Sequence, residues 1–128
     1  MSLKLAIDFD GTLCLHRYPN IGEPLVEGIE WLKQLRSRGA KLFLDTMRSG
    51  KELEEAINWC KSYGLEFDSI GPEASQMRWT SSPKCHADYG IDDRSNLDVL
   101  YDDLNRAYIN WDSLIPKFEN RLRKEGWL

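Results

Sequence analysis

The sequence has few cysteines, no long apolar run and no signal peptide pattern. Its three cysteines, Cys14, Cys60 and Cys85, are scattered and form no CxxC pair, which predicts neither a disulfide framework nor a zinc site. We expect buried thiols in a reducing compartment. No stretch approaches the ~18 apolar residues of a membrane span. Asp8 and Asp10 come too early for the apolar core of a signal peptide, so a cytoplasmic location is expected.

The chain also lacks an excess of positive charge. Its formal net charge is −4 at pH 7. A nucleic-acid scaffold usually has a basic face, so nucleic acid is not an expected partner. A nucleotide substrate remains compatible with this charge, because an enzyme site can be positive locally. The length of 128 residues fits one compact domain spanning 1–128.

Apolar periodicity predicts strands alternating with helices along the chain. Short apolar runs predict strands, and i, i+3, i+4 spacing predicts helices. The predicted strands are 3–9, 41–45, 65–70, 87–91 and 108–110, and the predicted helices are 23–38, 51–63 and 113–124. The segments 15–22 and 71–83 are predicted loops. This alternation predicts an α/β fold, in which crossover helices connect the strands of a parallel sheet.

Three of the predicted strands end in polar residues that could bind a ligand or take part in a reaction. The first ends in Asp8 and Asp10, the second in Asp45 and Thr46, and the fourth in Asp92-Asp93. Parallel strands place their carboxyl ends on one rim of the sheet, where ligands bind. Asp8 and Asp10 point to the same side at the two-residue period of a strand. Carboxylates this close repel unless a cation shares them, and Mg²⁺ favours such oxygen ligands.

The residues at these strand ends resemble the four motifs of the haloacid dehalogenase (HAD) superfamily. The run Asp8-Phe9-Asp10-Gly11-Thr12-Leu13 is similar to the first motif, DxDGT after an apolar strand. Thr46, Lys84 and Asp92-Asp93 resemble the second, third and fourth motifs, in family order. The stretches 16–23 and 87–94, with Trp111, are closer still to small capless HAD-like bacterial phosphatases.

The resemblance implies a fold and a set of roles. The fold is a three-layer Rossmann-like HAD core with a central parallel sheet and no cap domain, since Asp10 to Thr46 and Thr46 to Lys84 each span only about 35 residues. Asp8 would be the nucleophile and a metal ligand. Asp10 would be the general acid/base and would bind the metal through its carbonyl. Asp92 and Asp93 would complete a Mg²⁺ site, although Asp93 could instead be a helix N-cap.

The remaining predicted site residues contact the phosphoryl group or the rest of the substrate. Thr46 would donate a hydrogen bond to the phosphoryl group, and Lys84 would hold it with its charge. A plain cap residue and a surface lysine are the respective alternatives. The candidate substrate-binding residues are Gly11, Thr12, Met47 and Arg48. The backbone amides after Asp10 would approach the phosphate. Arg48 would bind a second phosphate or a carboxylate of the substrate, or else form a salt bridge on the helix face.

These expectations favour a Mg²⁺-dependent phosphatase acting on a small phosphorylated substrate, such as a nucleotide or sugar phosphate, through an aspartyl-phosphate. The alternatives are a phosphatase for a nucleic-acid end or a phosphoprotein, and a non-catalytic HAD module that binds Mg²⁺ or a phospho-ligand. A homo-oligomer is compatible with the sequence, and an exposed Trp111 or Trp127 would mark the contact. The sequence does not name the substrate.

Overall fold

A computed structural model describes residues 3–95 and 98–128. The strands in chain order are β1 (Lys4–Ile7), β2 (Cys14–Arg17), β3 (Asn20–Pro24), β4 (Lys41–Leu44), β5 (Ser69–Ile70), β6 (Tyr89–Ile91), β7 (Val99–Tyr101) and β8 (Ala107–Ile109). The helices are α1 (Val26–Ser37), α2 (Gly50–Ser62) and α3 (Trp111–Lys124), with a 3₁₀ helix at Ala74–Arg78.

The fold is mixed α/β, with a central parallel sheet of four strands in the order β5-β4-β1-β6. Strands β1 and β4, at its centre, are almost completely buried. This matches the apolar runs that predicted them, since strands buried on both faces lack polar alternation. The four sheet strands and three α-helices were therefore correctly predicted, with ends shifted by a few residues.

One face of the sheet carries the main hydrophobic core and the α-helices. Leu5 and Ile7 of β1 point to this face, and Phe9 continues their alternation. The Phe9 ring meets the edge of Trp59 in α2, with ring centroids 5.5 Å apart. In α3, Phe118 packs against Trp31 of α1. The three helices therefore anchor the strand that leads into Asp8 and Asp10.

The opposite face carries Ala6 and Phe43, and the β5–β6 connection lies on this side. Lys4 and Lys41 lie side by side on β1 and β4, and both ammonium groups bind Glu73, at 3.0 and 3.2 Å. Within the described residues, the helical structure of this connection is the single 3₁₀ helix Ala74–Arg78. The connection, predicted as a loop over 71–83, thus contains one short helical turn.

Buried Gln76 holds the β5–β6 connection together. Its Nε2 donates to the carbonyls of Ser82 and Lys84, at 3.4 and 2.5 Å. Its Oε1 accepts a hydrogen bond from the His86 amide at 2.8 Å. One side chain therefore supplies the hydrogen bonds that a longer helix would provide through its backbone.

Two antiparallel hairpins lie outside the central sheet, and the sequence did not predict either. Strands β2 and β3 form the first, so the predicted loop 15–22 is mostly a hairpin. Pro24 ends β3 and does not open a helix, because residues 20–24 pair with β2 and α1 begins only at Val26. The predicted strand 108–110 overlaps β8, which pairs with β7 in the second hairpin and does not join the central sheet.

Trp111 is buried, so it does not mark a contact between copies of the chain. Its indole N–H donates to the Thr12 carbonyl at 2.8 Å. Its ring lies so close to Gly28 of α1 that a Cβ there would overlap it. Trp127 is half-buried and packs against the core. In the part of the chain that the structure describes, no helix is long and apolar enough to cross a membrane.

Candidate active site

A cavity of about 440 Å³ opens at the carboxyl edge of the central sheet. Three strands contribute to it, as the parallel arrangement predicts. The residues of the strand ends that line it are Asp8, Asp10, Asp45, Thr46, Met47, Asp92, Asp93, Arg94 and Ser95. The register explains this convergence, because Ile7 at the end of β1 is level with Leu44 of β4 and Ile91 of β6.

The lining is strongly acidic. Five of the lining residues are aspartates, whereas Arg94 is the lining residue that is always cationic. A phosphomonoester dianion would be repelled by this surface in the absence of a cation. The arrangement is therefore electrostatically suited to a bound cation or to a ligand that carries one.

Asp8 has the most perturbed environment of these carboxylates. Its Oδ1 accepts a hydrogen bond from the Phe9 amide at 2.8 Å. Burial, together with the adjacent and hydrogen-bonded Asp93, raises the pKa of Asp8 from 3.8 to about 7. The Phe9 amide opposes this rise, and the charge of Asp92 adds to it. Asp8 is therefore held in a site that disfavours its charge unless a cation is present.

Gly11 allows Asp93 to reach this position. Its φ is +78°, which glycine adopts at little cost. A Cβ at this position would lie 2.8 Å from Cγ of Asp93. The absence of a side chain at Gly11 therefore leaves the space that Asp93 occupies beside Asp8.

The structure does not support the prediction that the amides after Asp10 face a phosphate. The Gly11 amide donates to the Cys14 carbonyl at 2.8 Å, and the Thr12 and Leu13 amides donate to the Phe9 carbonyl. All three amides donate hydrogen bonds within the tight turn that follows β1. Thr12 is fully buried, does not line the cavity, and its hydroxyl oxygen has no partner among the described residues. Its role in substrate binding stays a prediction.

Arg48 is buried and forms an ion pair with Asp10. Its Nε and Nη2 donate to the two carboxylate oxygens of Asp10, at 2.9 and 2.8 Å. Nη1 donates to the carbonyls of Pro19 and Glu52, at 3.2 and 3.5 Å, and Nη2 donates also to Asn20 at 2.8 Å. These contacts use all five N–H groups of a guanidinium. In this structure the guanidinium is therefore engaged within the chain, and its salt bridge joins it to Asp10 and not to a neighbour on the helix face. Substrate binding by Arg48 stays a prediction.

Thr46 and Met47 both line the cavity, with different surroundings. The hydroxyl oxygen of Thr46 accepts a hydrogen bond from the Arg48 amide at 3.1 Å, which orients it in the turn before α2. The N-cap of α2 is Ser49, so Thr46 is not the cap residue of the alternative prediction. Met47 is 99% exposed, and its side chain is available to any substrate that enters.

Asp92 shapes the turn after β6. Its Oδ1 accepts hydrogen bonds from the amides of Arg94 and Ser95, at 2.8 and 2.6 Å. Sequence reasoning considered a capping role for Asp93, but it is Asp92 that caps this turn. Among the described residues, no group of three or more His, Cys, Asp or Glu side chains has an arrangement that could hold a metal ion.

Lys84 does not line the cavity. It is exposed, and its carbonyl accepts the hydrogen bond from Gln76. Its neighbour Cys85 lies close enough to Asp45 for that charge to add to burial in raising the pKa of the thiol to about 11. The segment thus passes near the end of β4, while the lysine side chain faces solvent. The role of Lys84 in holding the phosphoryl group stays a prediction.

His16 also lines the cavity, although no role in the site was predicted for it. It lies on β2, and its Nδ1 is 3.3 Å from Nη1 of Arg106. The β2–β3 hairpin shows no clear alternation in the sequence, so no pattern placed this histidine near Asp8. Asp45 was predicted to lie at a strand end without a role in the site. It follows β4 directly and lines the cavity.

Comparison with known proteins finds a solved structure similar to this mixed α/β chain. The solved structure of a conserved protein from Bacteroides thetaiotaomicron matches it with a TM-score of 0.77 and 34% sequence identity. The match covers 94% of this chain and 93% of the other. The chain belongs to the same family as that Bacteroides protein. No family model and no curated protein matches the sequence.

Proposed function

We propose that the protein is a Mg²⁺-dependent phosphatase of the HAD type, which hydrolyses a small phosphomonoester through an aspartyl-phosphate. The observation that carries this proposal is the position of Asp8 at the end of β1, in contact with Asp93 and facing a cavity that Asp10 also lines. The HAD core without a cap domain is part of the proposal. The four-stranded parallel sheet with an open site at its carboxyl edge is consistent with it.

The donors at this edge are of the chemical type that a hard divalent cation prefers, although the described side chains do not form a three-ligand group in this structure. Asp8 and Asp93 form a hydrogen-bonded pair, and Asp92 is close enough to raise the pKa of Asp8 further. Mg²⁺ prefers such carboxylate oxygens and keeps several waters, so a complete protein cage is not needed. Asp8, Asp92, Asp93 and the carbonyl of Asp10 would hold the ion. When bound, it supplies positive charge against the developing charge of the phosphoryl oxygens.

The chain's own residues divide the reaction into two steps. In the first, a carboxylate oxygen of Asp8 forms a bond to phosphorus as the bond to the leaving oxygen breaks, and that oxygen takes a proton from Asp10. In the second, water attacks the aspartyl-phosphate, Asp10 takes the proton of the water, and Asp8 is released as a carboxylate. Thr46 donates its hydroxyl hydrogen to a phosphoryl oxygen, because its oxygen is already oriented by the Arg48 amide.

The direct test is hydrolysis of p-nitrophenyl phosphate by protein stripped of metal and then given Mg²⁺. We expect hydrolysis that depends on Mg²⁺, background activity in Asp8→Asn, and a loss of about 10²–10⁴-fold in Asp10→Asn. Asp103→Asn is the matched control, since its side chain is 86% exposed and does not line the cavity. Activity in Asp8→Asn equal to the wild type would refute the proposal.

A substrate panel separates the proposal from its alternatives. Mononucleotides and sugar phosphates should be hydrolysed faster than a 3′-phosphorylated oligonucleotide, because the acidic lining repels a polyanion. A phosphopeptide tests the phosphoprotein alternative. Lys84→Met in the same panel tests the lysine directly, since a phosphoryl-binding role predicts loss of activity and the observed exposed position predicts none. Mg²⁺ binding with no hydrolysis of any member would favour the non-catalytic module.

A further inference from the structure

We infer that Arg48 is a positioning residue that fixes Asp10 for the second step of the proposed reaction, in which Asp10 accepts a proton from water. The inference rests on the proposed function. Its starting point is geometric: the two-pronged contact from Arg48 engages both carboxylate oxygens of Asp10 at 2.8 and 2.9 Å. Such a contact fixes the plane of the carboxylate as well as its distance.

The pair is buried on one side and open to the cavity on the other. The side chain of Arg48 is 1% exposed, whereas that of Asp10 is 13% exposed and lines the cavity. Each carboxylate oxygen has two lone pairs, and the guanidinium occupies one on each oxygen. The remaining lone pairs are available to a water molecule in the cavity. The contact therefore holds the carboxyl group of Asp10 in a single orientation with one side toward the cavity, which is the geometry that the second step requires.

The guanidinium is itself held by three backbone carbonyls and two aromatic rings. Its remaining hydrogens go to the β2–β3 turn, through the carbonyls of Pro19 and Asn20, and to the first turn of α2 through Glu52. The rings of Phe9 and Tyr18 lie 5.0 and 5.1 Å from its central carbon. Because every hydrogen is used and two rings flank the group, Arg48 has little freedom to move. Because Arg48 binds both carboxylate oxygens, it also restricts the movement of the Asp10 side chain and of the water that Asp10 would orient.

In atomic terms, the step that depends on this contact is hydrolysis of the aspartyl-phosphate. The water oxygen forms a bond to phosphorus, the bond between phosphorus and Asp8 breaks, and the proton of the water passes to Asp10. Loss of Arg48 should slow this step by about 10²-fold or more, which is the usual contribution of a general base. Formation of the intermediate, in which Asp8 attacks a substrate with a good leaving group, should change much less.

Rapid mixing of the protein with p-nitrophenyl phosphate and Mg²⁺ tests this separation of steps. We compare Arg48→Met and Arg48→Lys with the wild type, and use Arg17→Met as the matched control. Arg17 is on β2, in the hairpin whose turn Arg48 contacts, but it pairs with Asp102 and Asp103 and not with Asp10. We expect both Arg48 variants to release a burst of p-nitrophenol equal to the enzyme concentration, followed by a steady rate at least about 10²-fold below the wild type. Acid quenching should trap phosphate on Asp8 in these variants.

Each other outcome refutes the inference in a distinguishable way. A parallel fall of burst and steady rate, without trapped phosphoenzyme, would show that Arg48 has a structural role only. A faster steady rate would show that Arg48 restrains Asp10. If Arg48→Met does not fold, Arg48→Lys keeps the charge and gives the same readout with smaller packing loss. Absence of any turnover or phosphoenzyme in the wild type would instead refute the proposed function, and the inference with it.

Discussion

Asp8→Asn should stabilise the protein in the absence of metal, although it removes the proposed nucleophile. The wild-type carboxylate is buried beside Asp93, and its pKa is raised from 3.8 to about 7. The folded state therefore binds a proton at a pH where the unfolded chain has lost it. An asparagine side chain has nearly the same shape, carries no charge and can donate a hydrogen bond to Asp93.

The magnitude follows from the difference between the two pKa values. A rise of about 3 units corresponds to about 4 kcal/mol. Because the folded-state pKa is the higher one, the contribution of protonated Asp8 to wild-type stability is complete below pH 3.8. This contribution is lost as the pH rises to 7. Asp8→Asn does not share this loss. Its advantage over the wild type should be roughly 1.5–2 kcal/mol at pH 5 and about 4 kcal/mol at pH 8, with relaxation of the site reducing both values.

Urea denaturation in EDTA at both pH values measures this difference. Asp103→Asn is the control and should match the wild type at both, because its side chain is 86% exposed. Comparing variants with one another cancels the titration of other groups between the two pH values. Added Mg²⁺ should then raise the stability of the wild type more than that of Asp8→Asn, because an ion that binds only the folded state stabilises it.

Two results would contradict this reasoning. If Asp8→Asn were no more stable than the wild type at pH 8, burial and the contact with Asp93 would not be disfavouring the charge. If its advantage were equal at pH 5 and pH 8, the effect would come from packing and not from ionisation. Neither result depends on enzymatic activity, so this experiment stands apart from the test of the phosphatase proposal.

Three further predictions concern other parts of the fold. Gly28→Ala should destabilise the protein by about 1–3 kcal/mol in urea denaturation, although alanine is the better helix former, because its Cβ would overlap the Trp111 ring; equal stability would show that the ring moves aside easily. Gln76→Ala should cost about 1–3 kcal/mol and speed proteolytic cleavage within 77–88, because it strips two carbonyls and an amide of their partner; unchanged cleavage would contradict this. No thiol should react rapidly with a disulfide reagent at pH 8, since burial raises the pKa values of Cys14 and Cys60 to about 12 and that of Cys85 to about 11; one fast thiol would overturn the prediction.

The sequence predicted the central sheet well because buried strands have a distinctive composition. The runs ending at Ile7 and Leu44 are apolar on both faces, and only a strand inside a sheet requires that. The gathering of Asp8 and Asp93 around one cavity followed from this, since parallel strands share a carboxyl edge. The two residues are far apart in the chain, but strand direction alone brings them together.

The sequence could not predict features that depend on pairing between distant segments. The hairpin that contains His16 shows weak alternation, and its turn is fixed partly by Arg48. Arg48 itself lies just past Thr46, where an exposed cation for a substrate was a reasonable expectation. Its burial becomes apparent only when Asp10 and the carbonyls of residues 19 and 20 are placed around it. A single sequence does not reveal an arginine whose five N–H groups all donate hydrogen bonds within the chain.

The use of Gln76 as the internal support of the β5–β6 connection has a consequence for how this protein can change during evolution. A helix would tie the length of this segment to whole turns and to a continuous apolar stripe. Here, one amide at residue 76 joins three backbone groups between 82 and 86, and exposed residues such as Met77 and Trp79 lie between them. We expect substitution of the exposed Met77 side chain to leave the amide contacts intact, because the hydrogen bonds come from Gln76. The outer surface of this connection can therefore change in sequence while one buried side chain keeps its path fixed.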